Sequence, residues 1–100
     1  MDEAVRLRVR LTLLGPDVGG RRRGVATGYR CQWRSGGKPE WNDAAVELDR
    51  RIEPGESCDA WLLVGVPQRW ADSVAVGDVL EGGEGPRVVA TAQVLDMQVD

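Results

Sequence analysis

The chain has 100 residues, 42% of them hydrophobic and 29% charged, with a formal net charge of −3. That length predicts one domain, residues 1–100, around one core. The composition excludes a disordered or low-complexity chain, and the net acidity excludes a polyanion binder acting through whole-molecule charge.

The predicted elements follow in chain order. Residues 4–14 alternate: Val5, Leu7, Val9, Leu11 and Leu13 fall on one face and Arg6, Arg8, Arg10 and Thr12 on the other, the period of a half-buried strand. Gly15-Pro16-Asp17 ends it, and a solvated loop with Gly19, Gly20 and the tract Arg21-Arg22-Arg23 runs to about Thr27. A second strand over 28–34 sets Tyr29, Cys31 and Trp33 against Arg30, Gln32 and Arg34. Ser35-Gly36-Gly37-Lys38-Pro39 breaks it. A short strand over 44–49 points Val46 and Leu48 inward, and Glu53-Pro54-Gly55-Glu56 is a turn. Residues 57–66 form the most apolar strand, with Trp61 and Leu63 on its outer face. Residues 67–73 are a connection with room for one helical turn. Strands over 78–81 and 87–97 close as a hairpin through the tip Gly82-Gly83-Glu84-Gly85-Pro86. Six short strands, 14 valines and no amphipathic helix predict an all-β sandwich or barrel.

Several of these segments resemble the C-terminal β-barrel domain of elongation factor Tu. The similarity lies in Val5–Leu14 as a first strand, in Gly19-Gly20-Arg21 followed by Gly28-Tyr29-Arg30 with Gln32 and Trp33, in Glu53-Pro54-Gly55-Glu56, and in Gly77-Asp78 with Glu81-Gly82-Gly83 and Arg87-Val88-Val89. The resemblance implies a six-stranded antiparallel β-barrel that is not itself catalytic. In that family the loop and second strand face a GTPase domain, which implies a contact role for Gly20, Arg21 and Gln32, and the domain also touches the T-arm of aminoacyl-tRNA. The chain departs from the pattern at Cys31, at 35–43 and in the lengthened hairpin tip. It has no Gly-x-x-x-x-Gly-Lys-Ser/Thr loop, and its one lysine is Lys38, so nucleotide hydrolysis is not implied.

Nothing in the sequence is a catalytic signature. It has no histidine, which removes Ser-His-Asp and Cys-His arrangements and the commonest metal ligand. Two cysteines, Cys31 and Cys58, do not make a zinc site and read as reduced thiols or as one disulfide. Asp72, Asp78, Glu81 and Glu84 sit in turns, where solvated carboxylates are the norm. No enzyme, cofactor or metal is expected.

Charge is divided unevenly: residues 1–52 carry 11 basic and 7 acidic groups, and residues 53–100 carry 2 basic and 9 acidic groups. Arg21-Arg22-Arg23 is either a phosphate-holding tract or a solvated loop. The row Arg6, Arg8, Arg10 is either paired across strands by Glu47, Asp49 or the last hairpin, or it joins Arg30 and Arg34 as an anion or RNA stripe. Trp61 and Leu63 lie under a loop or form an exposed patch.

The expected function is a non-enzymatic binding module that presents a barrel surface to a protein partner, linked to translation through the resemblance. The partner surface would comprise Gly20, Arg21, Arg22, Arg23, Arg30, Gln32, Arg34, Trp61 and Leu63. The alternatives are an RNA-binding module that contacts a tRNA arm through the basic strand and loop, and a self-associating structural domain. The oligomeric state is open. No apolar run reaches the roughly 20 residues of a spanning helix. Charges at Asp2, Glu3 and Arg6 stand where a secretory leader would be apolar, so a cytoplasmic protein with no membrane partner is expected.

Overall fold

A computed structural model describes residues 5–35, 38–65 and 74–99. The strands are β1 (Val5–Leu13), β2 (Arg30–Ser35), β3 (Asn42–Leu48), β4 (Ser57–Val64), β5 (Val79–Glu84) and β6 (Arg87–Val99), with one short 3₁₀ turn at Pro16–Val18. They form a closed antiparallel barrel in the order β1-β4-β3-β2-β5-β6, which returns to β1. Among the described residues no helix is long and apolar enough to cross a membrane.

Alternation in the chain becomes an inside and an outside. Val5, Leu7, Val9, Leu11 and Leu13 are all buried, as are Val46 and Leu48 of β3 and Ala60, Leu62 and Val64 of β4. Each fully buried aliphatic side chain of this kind contributes roughly 1.5–3 kcal/mol. Cys31 and Trp33 face inward with them, while Tyr29 packs at the edge of the core. Both cysteines are free thiols.

Closure places β1 and β2 three strands apart in either direction. Their connection therefore crosses one mouth of the barrel. It is pinned there by an isolated bridge between Val25 and Ile52, whose amides and carbonyls exchange bonds of 2.9 and 3.0 Å. Thr27 is tied to the Leu48 backbone, and the Gly28 amide donates to Val46. Val25 and Ile52 are both buried and plug that end of the core.

The hairpin differs from its expected form. Residues 82–84 are not a loop tip but the second half of β5, with a bulge between Gly82 and Gly83, so the turn is only Gly85-Pro86. The reason is two aromatic rings. Gly82 stands opposite Trp33 in the ladder, and a Cβ on Gly82 would lie 2.8 Å from the Trp33 ring; one on Gly83 would lie 2.9 Å from the Trp41 ring. These glycines are landing places for tryptophan on a continuous strand rather than turn residues. Trp33 is fully buried, and its indole Nε1 has no acceptor among the described residues, so area rather than hydrogen bonding holds it.

Smaller differences lie at strand ends. β2 begins at Arg30 because Gly28, with φ of +93°, is still in the turn. β3 starts earlier than expected, at Asn42, and β6 runs on to Val99. The expected connection over 67–73, including Trp70, lies outside the described residues, as do Gly36, Gly37, Val66 and Asp72.

Gly82→Ala is expected to lower the urea unfolding free energy by about 1–3 kcal/mol through overpacking against Trp33. Gly65→Ala, whose Cβ would meet only ordinary contact at 3.5 Å, is expected to cost much less. Equal effects would contradict the packing account.

Candidate functional site

Most arginines of the outer barrel wall are paired with acids, and Arg8 stacks on Trp61 instead. On β1, Arg6 pairs with Glu47 at 3.7 Å and Arg10 with Asp59 at 3.2 Å. The pairing alternative therefore holds for these two positions, through Glu47 as expected and through Asp59, which the sequence reading did not single out. Among the described residues, Trp61 is covered by arginine. It lies in the ladder beside Arg8, and the guanidinium carbons of Arg6 and Arg8 stand 4.7 and 5.1 Å from its ring centroid. Such stacking is worth roughly 0.5–1 kcal/mol at an exposed site. Leu63, across from Arg6, is exposed.

Arg30 and Arg34 belong to the opposite side of the cylinder, so they form no continuous stripe with the β1 row. Arg30 pairs with Asp43. Arg34 donates to Glu81 at 2.9 Å and stacks over Trp41 at 4.5 Å. Gln32 is exposed on the same wall, between Asp43 and Gly83 in the register. Gly20 is buried and offers no surface to a partner. Its amide donates to Gly15, and a Cβ there would meet the Leu14 carbonyl oxygen at 2.1 Å.

The mouth crossed by the β1–β2 connection is different. There Arg21, Arg22, Arg23, Glu84 and Arg87 line an open depression of about 380 Å³. Glu84, at the end of β5, accepts bonds from both Arg21 Nη1 and the Tyr29 hydroxyl on the same oxygen, Oε2. Arg21 also lies 5.1 Å from the Tyr29 ring centroid and donates through Nε to the Arg23 carbonyl at 3.1 Å. This cluster ties the loop to the hairpin. It also commits Glu84, so Arg87, directly opposite Glu84 across the hairpin, lacks its natural cross-strand counter-charge. Among the described residues Arg22, Arg23 and Arg87 form no ion pair, and all three are exposed. The tract Arg21-Arg22-Arg23 is thus split: its first residue is structural, and the next two have no ion-pair partner among the described residues.

Arg87, Glu84 and Tyr29 were not among the expected site residues. A two-residue turn reading of Gly85-Pro86 would have made Glu84 and Arg87 a facing pair. Their meeting with the arginine loop needs the β1–β6–β5 order, which no local pattern carries.

The described carboxylates of the turn regions are each engaged separately: Asp78 accepts from the Ala75 amide at 2.9 Å, Glu81 holds Arg34, and Glu84 holds Arg21 and Tyr29. No acid/base pair is assembled from them. Among the described residues no three potential metal ligands come together.

Burial, followed by the bond to Glu84, pushes the Tyr29 hydroxyl well above the ordinary phenol value. Burial pushes the Cys31 thiol up to about 11. The Glu53 amide, donating to Glu56 at 2.7 Å, holds the Glu56 carboxyl below its usual value.

Because the folded state keeps the Cys31 proton longer than the unfolded chain does, its contribution is complete below pH 9.0 and is lost as pH rises towards about 11. Urea titrations are expected to show stability falling over that window, with a shallower fall in Cys31→Ala. An identical slope in the variant would contradict the assignment.

A scan against protein-family models finds no family that matches the chain, and a search of curated proteins finds no match to it.

Proposed function

We propose that this chain is a non-enzymatic binding module that presents the arginine-lined mouth of its barrel to an acidic segment of a protein partner in the cytoplasm. The observation that carries the reading is the trio Arg22, Arg23 and Arg87, without an acid among the described residues around one depression, in a chain whose other described basic residues are mostly engaged. Unpaired charge beside a shaped concavity is where electrostatic complementarity guides association. Arginine is the side chain best suited to it, because its planar fork matches a carboxylate in two parallel bonds.

The absence of histidine and the separate engagement of the described turn carboxylates favour binding over catalysis. Two free thiols suit a reducing compartment. The resemblance to the elongation factor Tu barrel supports a place near the translation machinery, since the corresponding loop in that family is a protein contact. Nucleic acid is the less favoured ligand. A duplex or strand needs an extended run of free cations, whereas Arg6, Arg10, Arg30 and Arg34 are committed to acids of the barrel wall.

Immobilised protein incubated with nuclease-treated lysate is expected to retain a stoichiometric protein. The double variant Arg22→Glu/Arg87→Glu is expected to lose at least 90% of it, roughly a tenfold loss of affinity for a missing charge-assisted contact. Equal retention by the variant, or recovery of nothing by the wild type, would contradict the proposal. Recovery only without nuclease, with steep loss in salt, would favour RNA.

A further inference from the structure

We infer that the depression at the barrel mouth is a site for a phosphoryl dianion, carried by a phosphorylated side chain or by a small phosphate ester. The inference rests on the reading of this mouth as the working surface and goes further by naming the ligand's chemistry.

Charge comes first. Four arginines and one glutamate line the depression. The glutamate is occupied by Arg21 and Tyr29, which leaves the guanidinium groups of Arg22, Arg23 and Arg87 without an acid among the described residues. A single carboxylate carries one negative charge and so leaves two of these three cations uncompensated. A phosphoryl group brings nearly two negative charges and three acceptor oxygens, enough to engage several forks and offset most of their charge.

Placement comes second. Arg87 sits on a hairpin with a two-residue turn, and Arg22 and Arg23 sit between two fixed points, the Arg21–Glu84 contact and the Val25–Ile52 bridge. The backbones that carry the three cations are therefore ordered before any ligand arrives, which lowers the entropy cost of binding. The amides of Arg22 and Arg23 make no backbone hydrogen bond among the described residues and remain available as further donors.

Size and shape come third. A volume of about 380 Å³ lies within the roughly 300–1,000 Å³ of small-ligand sites. The lining, however, is ionic rather than apolar, which selects for charge instead of for a buried hydrophobic body. The open mouth leaves room for whatever the phosphoryl group is attached to.

The test is a binding titration of the intact chain, at constant ionic strength, with a short phosphoserine peptide of otherwise neutral sequence, the same peptide with glutamate in place of phosphoserine, and inorganic phosphate. Amide shifts report the location. The phosphopeptide is expected to move the Arg22, Arg23 and Arg87 amides and to bind at least tenfold tighter than the glutamate peptide. Arg22→Ala and Arg87→Ala are each expected to weaken it about tenfold, while Arg10→Ala, on the barrel wall, leaves it unchanged. These three arginines are exposed, so folding of the variants is checked by unchanged thermal midpoints. Tight binding of inorganic phosphate at the same amides supports the site with a small ester as its source. Equal binding of the glutamate and phosphoserine peptides at these amides would overturn the phosphoryl assignment and leave the acidic-partner reading standing. No anion-dependent shift at these amides would overturn the site itself.

Discussion

A six-stranded cylinder in which β1 and β2 stand on opposite sides forces their connection across the barrel mouth. The loop must then bury something to be held there, and it does so through Val25 against Ile52 and through Gly20 beneath Leu14. Everything distinctive about the mouth follows from this crossing. The loop brings Arg21, Arg22 and Arg23 over the end of β5, where Glu84 can reach only one of them.

The barrel wall and the barrel mouth follow opposite electrostatic rules. Along the wall, neighbouring strands set Arg10 beside Asp59 and Arg30 near Asp43, while Arg6 reaches across β4 to Glu47 on β3, and the products are exposed ion pairs of small individual value. Such pairs mainly suppress repulsion within an arginine row. At the mouth, one acid serves two donors, and three cations, Arg22, Arg23 and Arg87, are left without an acid among the described residues. The same residue type is therefore neutral ornament on one surface and uncompensated charge on another; position in the topology, rather than composition, separates the two roles.

Much of the wall was legible in the sequence, because alternation with period two is a local signal. Val5 to Leu13 revealed both a strand and the face it buries, and Glu47 was a visible counter-charge for Arg6. The inward direction of Trp33 followed from the same period. Where reading along the chain failed, the deciding contact was distant. Gly82 and Gly83 carry the local mark of a turn, yet Trp33 and Trp41, about 40 to 50 positions earlier, make them strand residues. Arg10 finds Asp59 only because β1 lies beside β4. Gly20, read as surface from its glycine-arginine context, is buried by the loop's path. The site was half legible: Arg22 and Arg23 stood out as a tract, but Arg21 could not be told from them, and Arg87 could not be joined to them without the strand order.

The central claim is that Glu84 is held by Arg21 and Tyr29 and leaves Arg87, Arg22 and Arg23 free. Side-chain Nε–Hε relaxation of the arginines by NMR tests it directly. A restricted Arg21 guanidinium is predicted beside mobile ones at Arg22, Arg23 and Arg87, and Tyr29→Phe should loosen Arg21 without restricting Arg87. A rigid Arg87 with a mobile Arg21 would mean that the hairpin neutralises its own charge, and the account of the mouth would be wrong.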